Sequence, residues 1–261
     1  MDQWLADHFV PGSPQRWRRW RIGSGTIALH EHGLRLMLPR ASDNSYSNAQ
    51  LDDYHGLPHR CYPWRPPLRL VIRARFGGPL LGTAGFGLWN HPFVQLSSGG
   101  VPILPRAVWF FHASPPNDMA LAHGVPGYGW KTATLDALRL KALRWAPLAP
   151  AVVPLNHLPA FERRVWPYVQ RDLGISERLT AASPHDWHDY TLVWQRDGVQ
   201  FRIDGRTVHE TPHAPRGPLG FVAWIDNQYA VATRWGQLGY GLLHTETPQW
   251  VDIASVEITA L

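Results

Sequence analysis

The stretch from Tyr190 to His209 constrains the fold of this chain more than any other. Tyr190-Thr-Leu-Val-Trp194 and Val199-Gln-Phe-Arg-Ile203 flank Arg196-Asp197-Gly198, and Asp204-Gly205 then turns the chain into Thr207-Val208-His209. Short runs of aromatic and β-branched residues, joined by tight turns with glycine where positive φ is wanted, predict consecutive β-hairpins. Leu68 to Phe76 also alternates. Leu68, Leu70, Ile72, Ala74 and Phe76 share one face and Arg69, Arg73 and Arg75 the other, as in a half-buried strand. Residues 26–39 predict a strand pair around Glu31-His32-Gly33. Gly85–Trp89, Ala107–Ala113, Leu219–Ile225 and Trp250–Ile258 predict further strands. With 23 Gly and 24 Pro among 261 residues, turns are frequent and an all-helical bundle is excluded. Fourteen Trp with only 17% charged residues exclude wholesale disorder.

The middle of the chain changes period. Leu138, Leu140, Ala142, Leu143 and Trp145 mark one helical segment, and Phe161, Val165, Val169 and Leu173 recur every four residues on another. Pro147, Pro150, Pro154 and Pro159 separate the segments, Pro167 kinks or shortens the last, and Gly174 is a stop. The expectation is one domain over residues 1–261, with a helical insertion at 135–179 in a β-rich chain. Residues 41–66, polar and rich in Asp, Asn, Ser and Tyr, read as a long surface loop, and so does Gly124 to Gly129. Arg16-Trp17-Arg18-Arg19-Trp20-Arg21 reads as an edge strand whose Trp residues cover the core under Arg stems. The alternative is a phosphate-binding or base-stacking arm.

The lone cysteine, Cys61, excludes an internal disulfide framework and any zinc site built on several thiolates. The first residues carry neither a basic start nor an apolar run, so no secretory signal is expected and the chain reads as cytoplasmic. The apolar stretch Ala146 to Leu155 is broken by prolines and too short to span a bilayer. The net charge of +5 comes from scattered Arg, which mildly favours anionic partners without forming a nucleic-acid footprint. No nucleic-acid partner, membrane partner, cofactor or metal is expected. His209 and His213 have a His-x-x-x-His spacing, but in a strand and a Pro-containing loop rather than on a helix.

The run Trp187-His188-Asp189-Tyr190-Thr191-Leu192-Val193-Trp194, followed by Val199 to Gly205, resembles a segment of concanavalin A-like jelly-roll glucanases, especially glycoside hydrolase family 16. Phe86-Gly87-Leu88-Trp89, Gly220 to Asn227 and Val251 to Ile258 resemble other strands of those proteins, so the likeness touches most of the chain outside residues 131–180. The resemblance implies an all-β sandwich of two antiparallel sheets. It also implies a catalytic strand carrying E-x-D-x-E or E-x-D-x-x-E, whose alternation puts three carboxylates on one face for a retaining mechanism. By order along the chain the equivalent strand is Val108 to Ser114, and it offers no carboxylate; the nearest acid is Asp118. The family's catalytic residues therefore do not carry over.

The residues themselves leave several candidates. Along this strand Phe110, His112 and Ser114 share one face and Trp109, Phe111 and Ala113 the other; a one-residue slip exchanges His112 for Phe111 at the cleft. His112 is a candidate general acid or base, with a reference pKa of ~6.5. With Ser114 and Asp118 it also suggests a nucleophile–base–acid arrangement, though no nucleophile elbow is present. Trp224 and Asp226 share a face, making Asp226 a candidate acid, base or hydrogen-bond anchor, or else a cap at a strand end. Trp89 is a candidate stacking platform or a core residue. Asn90, Phe110, Ser114, Asp118, Trp224 and Asn227 complete the expected ligand-binding set. The apolar insertion either caps the cleft and closes it into a pocket, mediates dimerisation, or simply packs on the sandwich. The missing carboxylates and the apolar insertion give precedence to a non-hydrolytic biosynthetic enzyme, a cyclase or isomerase, acting on an apolar small molecule. The alternative is a carbohydrate-binding protein or a divergent glycoside hydrolase taking an oligosaccharide.

Overall fold

The computed structural model describes residues 4–11, 16–92 and 103–261. Strands β1 (Trp4–Asp7), β2 (Arg18–Ile22), β3 (Thr26–His30), β4 (Gly33–Leu38) and β5 (Asn48–Asp52) lead into β6 (Leu68–Gly77), β7 (Thr83–Trp89), β8 (Arg106–Ala113) and β9 (Gly129–Asp136). Helices α1 (Leu140–Leu143), α2 (Ala149–Leu155) and α3 (Pro159–Asp172) follow. The chain then returns to β10 (Ser176–Leu179), β11 (His188–Trp194), β12 (Val199–Ile203), β13 (Arg206–Thr211), β14 (Gly220–Asp226), β15 (Gln228–Ala232), β16 (Leu238–Leu242) and β17 (Gln249–Ala260). The first sheet runs β13-β12-β11-β6-β17-β4-β3, with β1 also on β17; the second runs β10-β9-β8-β7-β14-β5-β2. Two large antiparallel sheets face to face make the expected jelly-roll sandwich, and β15 and β16 form a separate hairpin.

Period-two alternation fills the space between the sheets. Leu68, Leu70, Ile72, Ala74 and Phe76 of β6 meet Phe86 and Leu88 of β7, Val108 and Phe110 of β8, and Phe221, Ala223 and Ile225 of β14 in one buried cluster. Aromatic rings form its centre: Phe110 lies 5.0 Å from Tyr190, 5.4 Å from Phe201 and 5.8 Å from Phe86, centroid to centroid. The hairpins form where the turns predict them. His30 pairs with Gly33 across Glu31-His32, and Tyr190 pairs with Ile203. Asp204 and Gly205 both take positive φ, 49° and 76°, as a two-residue hairpin turn requires.

Several strands lie where none was expected, among them β5, β9, β10, β15 and β16. The supposed loop 41–66 contains β5, a member of the second sheet hydrogen-bonded to both β14 and β2. Only Ala49 and Leu51 of β5 enter the core, while Asn48, Gln50 and Asp52 lie on its other face, so the strand reads as polar. Gly129 to Asp136 is β9, and the residues at both ends of the predicted insertion are strand, so the helices occupy only 140–172. Helix α3 continues through Pro167. It ends at Gly174, whose φ of +62° accompanies the return of Ile175 N–H to the Gln170 carbonyl. The N-terminal basic run is an edge strand as expected: Trp17 is buried in the core, and Trp20 lies outside, stacked on His55 at 4.4 Å.

On the exposed side of the first sheet, Asp252 of β17 joins two neighbouring strands. Its carboxylate accepts from Arg35 at 2.6 and 2.9 Å and from Arg75 at 3.1 Å. Burial alone would raise the Asp252 pKa, but the two guanidinium groups hold it below the usual carboxylate range. Asp252→Ala is expected to cost on the order of 2–3 kcal/mol in urea denaturation, because it strips charge-assisted bonds from both arginines. A lowered pKa also sets the pH dependence. The stabilisation is complete above the unfolded-state value of 3.8 and is lost as pH falls through the lower folded value, so the variant's deficit shrinks in acid.

Candidate functional site

Because Phe110 is committed to the inter-sheet core, its neighbours Trp109 and Phe111 must emerge on the outer face of the second sheet. That face carries a second buried cluster of Tyr54, Tyr62, Phe111, Ala113, Val222 and Trp224, against which Trp89, Trp109 and Met119 pack. The rings form a continuous surface. Trp109 lies 5.9 Å from Trp89, 5.4 Å from Trp224 and 5.7 Å from Phe111, and Tyr54 lies 4.9 Å from Tyr62 and 6.3 Å from Trp89. The backbone makes room for it: Trp109 and Phe111 pair with Gly87 and Gly85. A Cβ at Gly85 would run into the Phe110 carbonyl and come within 3.0 Å of the Trp224 indole. Trp89 and Trp109 are half-buried, so each keeps part of its ring open to solvent.

Polar groups border the rings on one side. Gln50 donates to Asp52 at 2.9 Å and to the Tyr54 hydroxyl at 3.3 Å, and the same hydroxyl accepts from the Trp89 indole at 2.7 Å. His91 stacks edge-on to Trp89 at 4.8 Å. Burial, and then the neighbouring His55 and His59, push the His91 pKa down to about 4, so its imidazole is neutral at physiological pH. Among the described residues, buried Tyr62 Oη and His91 Nδ1 have no partner.

At the other side the helical segment closes the face. Lys131 of β9, fully buried, pairs with Glu177 of β10 at 3.4 Å and donates to the Pro126 carbonyl at 3.1 Å. Glu177 in turn accepts from Ala122 N–H at 3.3 Å. The segment around 120–126 is gripped from above by α3. Trp166 donates to the Leu121 carbonyl at 2.6 Å, Gln170 accepts from His123 N–H, and Glu162 joins His123 to Arg234. The segment held by α3 thus lies over the β9–β10 end of the face.

The predicted site residues divide sharply. Trp89 and Trp224 lie on the aromatic face as expected. Asp226 shares that face, at its far end, but it is fully enclosed, accepting from Thr83 Oγ1 at 2.8 Å, Thr83 N–H at 3.2 Å, Gln228 N–H at 3.3 Å and Tyr46 Oη at 3.3 Å. Burial pushes its pKa up to about 7, with the Thr83 hydroxyl opposing the shift. His112 points to the opposite face, where Nε2 meets the Leu80 carbonyl at 3.0 Å and burial lowers its pKa. Phe110 belongs to the inter-sheet core. Ser114 Oγ accepts from Gly82 N–H and donates to the Pro115 carbonyl, so no serine–histidine pair forms. Asn90 braces Leu104 and Arg106, and Asn227 spans the backbones of Ser42, Ser45, Ser47 and Leu243. Asp118 exchanges backbone hydrogen bonds with the Ala230–Ala232 stretch of β15. Sequence reasoning missed Trp109, Phe111, Gln50, Asp52, Tyr54 and Tyr62; the glycines facing Trp109 and Phe111 were the available clue.

The carboxylates that the strands of this sheet place on its outer face are Asp52, Asp226 and Glu177. With neighbouring strands about 4.8 Å apart, Glu177 lies roughly 19 Å from the strand of Asp226 and 24 Å from that of Asp52. Asp52 pairs with Val222, four residues from Asp226, or about 13 Å along the strand. Neither the ~5 Å spacing of retaining nor the 6.5–9.5 Å spacing of inverting glycosidases is met. Among the described residues no cluster of three or more His, Cys, Asp or Glu could hold a metal ion.

No family model matches the chain, and no curated protein matches it. Solved structures do match its fold. A prokaryotic β-1,3-1,4-glucanase (lichenase) derived from a mouse hindgut metagenome aligns with a TM-score of 0.55 at 13% identity, covering 99% of this chain and 100% of that one. The Crh5 transglycosylase in complex with NAG aligns at 0.54 and 11%, covering 99% and 84%. A Bacillus licheniformis β-glucanase aligns at 0.52 and 9%, covering 99% and 98%. At such identities the likeness is one of fold. It nevertheless overturns the expectation of a cyclase or isomerase acting on an apolar small molecule: these neighbours are a glucanase, a transglycosylase and a β-glucanase, all carbohydrate-active enzymes. The chain has the concanavalin A-like jelly-roll sandwich of glucanases and transglycosylases, with Trp109, Phe111 and Ala113 outermost on the strand where the resemblance implies catalytic acids.

Proposed function

We propose that the protein binds neutral β-linked oligosaccharides along the outer face of the second sheet and does not hydrolyse them. The observation that carries this reading is the row Trp89–Trp109–Trp224 on a sheet whose strand β8 presents no acid. Sugar rings bury their C–H faces on indole surfaces, while their hydroxyls need neutral hydrogen-bonding partners. Gln50 and neutral His91 border the rings and supply such partners. A divergent hydrolase remains the competing reading and is an outcome of the same experiment.

Titration with laminari-, cello- and mixed-linkage oligosaccharides, followed by Trp fluorescence alongside a reducing-end assay, tests this. The expected result is saturable quenching without new reducing ends, weakened about tenfold or more (≥ ~1.4 kcal/mol) by Trp109→Ala while circular dichroism is unchanged. Release of reducing ends by the wild-type protein, or affinity indifferent to Trp109→Ala, contradicts the proposal. Asp226 is then a positioning residue, holding Thr83 beneath the Trp224 indole, which donates to Thr83 Oγ1 at 2.9 Å. Its folded pKa of about 7 lies above the unfolded 3.8, so the native state keeps a proton that the unfolded state releases. Stability therefore falls as pH rises from about 4 to about 7. Asp226→Asn removes this contribution, so its Tm relative to wild type should be higher at pH 8 than at pH 4, with sugar affinity little changed.

A further inference from the structure

The helical segment carries an apolar surface that neither the sandwich nor the aromatic groove uses. Leu140 is 81% exposed, Leu158 56%, Leu143 52% and Leu148 50%, and Tyr168 is also exposed. Leu143, Leu148 and Tyr168 line two adjoining depressions that share Trp145. One is a cavity of about 260 Å³ whose lining includes Leu143, Trp145, Ala149, Val152 and Trp166. The other is a shallow pocket between Arg144, Trp145, Leu148 and Tyr168.

The charges around this surface are of one sign. Residues 138–173 contain Arg139, Lys141, Arg144, Arg163, Arg164 and Arg171 against only Glu162 and Asp172. Both acids are buried and already paired, Glu162 with His123 and Arg234, and Asp172 with Arg144 and the Trp145 indole. Burial would raise both carboxyls, but hydrogen bonds with His123 and Arg234 at Glu162, and with the Trp145 indole and Arg144 at Asp172, hold them below their usual pKa. Arg144 lies over the Trp145 ring and Arg171 over the Tyr168 ring, each at 5.4 Å, so cations and aromatics share one surface.

We infer that this segment docks the protein on an anionic lipid surface. Exposed Leu with Trp and Tyr beside Arg and Lys is the composition of an element lying in the headgroup–acyl boundary. A second copy of the chain would bring like charges face to face, and a nucleic acid would not use the leucines. The docking is peripheral: among the described residues no helix is long and apolar enough to cross a membrane. It departs from the sequence expectation that the chain has no membrane partner.

Co-sedimentation with large unilamellar vesicles of phosphatidylcholine containing 0 or about 40% phosphatidylglycerol tests the inference. Binding should appear with the anionic lipid, weaken in high salt, and fall roughly tenfold or more in Leu148→Glu and in Leu140→Glu, with thermal unfolding unchanged. Both positions are exposed, so neither substitution disturbs the core. No binding to anionic vesicles, or equal binding to neutral ones, overturns the inference. So does sedimentation equilibrium showing a wild-type dimer that Leu148→Glu dissociates, which would assign the surface to a second copy.

Discussion

Phe110 fills the inter-sheet core between Phe86, Trp130, Tyr190 and Phe201, and much of the molecule follows from that placement. Side chains of a strand alternate with a period of two, so a core position at 110 fixes Trp109, Phe111 and Ala113 on the opposite face. Sliding β8 by one residue would turn Trp109 and Phe111 into the core and expel Phe110 and His112, breaking the aromatic cluster. Gly85 and Gly87, directly across from Phe111 and Trp109, reinforce the register, because a Cβ at Gly87 would come within 2.5 Å of the Trp109 Cβ and one at Gly85 would run into the Phe110 carbonyl oxygen. The register of one strand thus determines both the core and the chemistry of the groove.

The outer face would be an exposed apolar patch without its coverings. On one side Tyr54 and Tyr62 pack over it, anchored by Asp53, which accepts from the Trp64 indole and from Phe221 N–H. On the other, the segment around 120–126 is held by α3 and by the buried Lys131–Glu177 pair. That pair compensates itself internally, with each ion taking a backbone partner as well, as a buried salt bridge requires. The helical segment therefore has two sides of different character: one fastened to the sheet by buried polar groups, the other left with exposed leucines and arginines.

How much of this is legible in the sequence depends on where each strand puts its polar residues. β6 has one apolar face and one Arg-bearing face, and the β11–β13 hairpins carry their own turn signals, so both stand out. β5 was hidden because Asn48, Gln50 and Asp52 look solvent-facing, although they lie under loops. β9 was hidden because Lys131 reads as exposed; its partner, Glu177, is 46 residues away in sequence and adjacent only in the fold. At β8 both faces are aromatic, Trp109 and Phe111 against Phe110 and His112, so alternation alone does not choose between them. Asp226 and Trp224 shared a face as their spacing implied, yet the enclosure of Asp226 depends on Thr83 and Tyr46 from distant strands and loops.

The central claim is that the aromatic face of the second sheet is a sugar platform. A crystal structure of the protein with a β-glucan hexasaccharide tests it most directly. The account predicts an intact chain with sugar rings stacked on Trp109 and Trp89 and hydroxyls within hydrogen-bond reach of Gln50 or His91. Sugar bound elsewhere with this face empty, or a cleaved glycan, would contradict it.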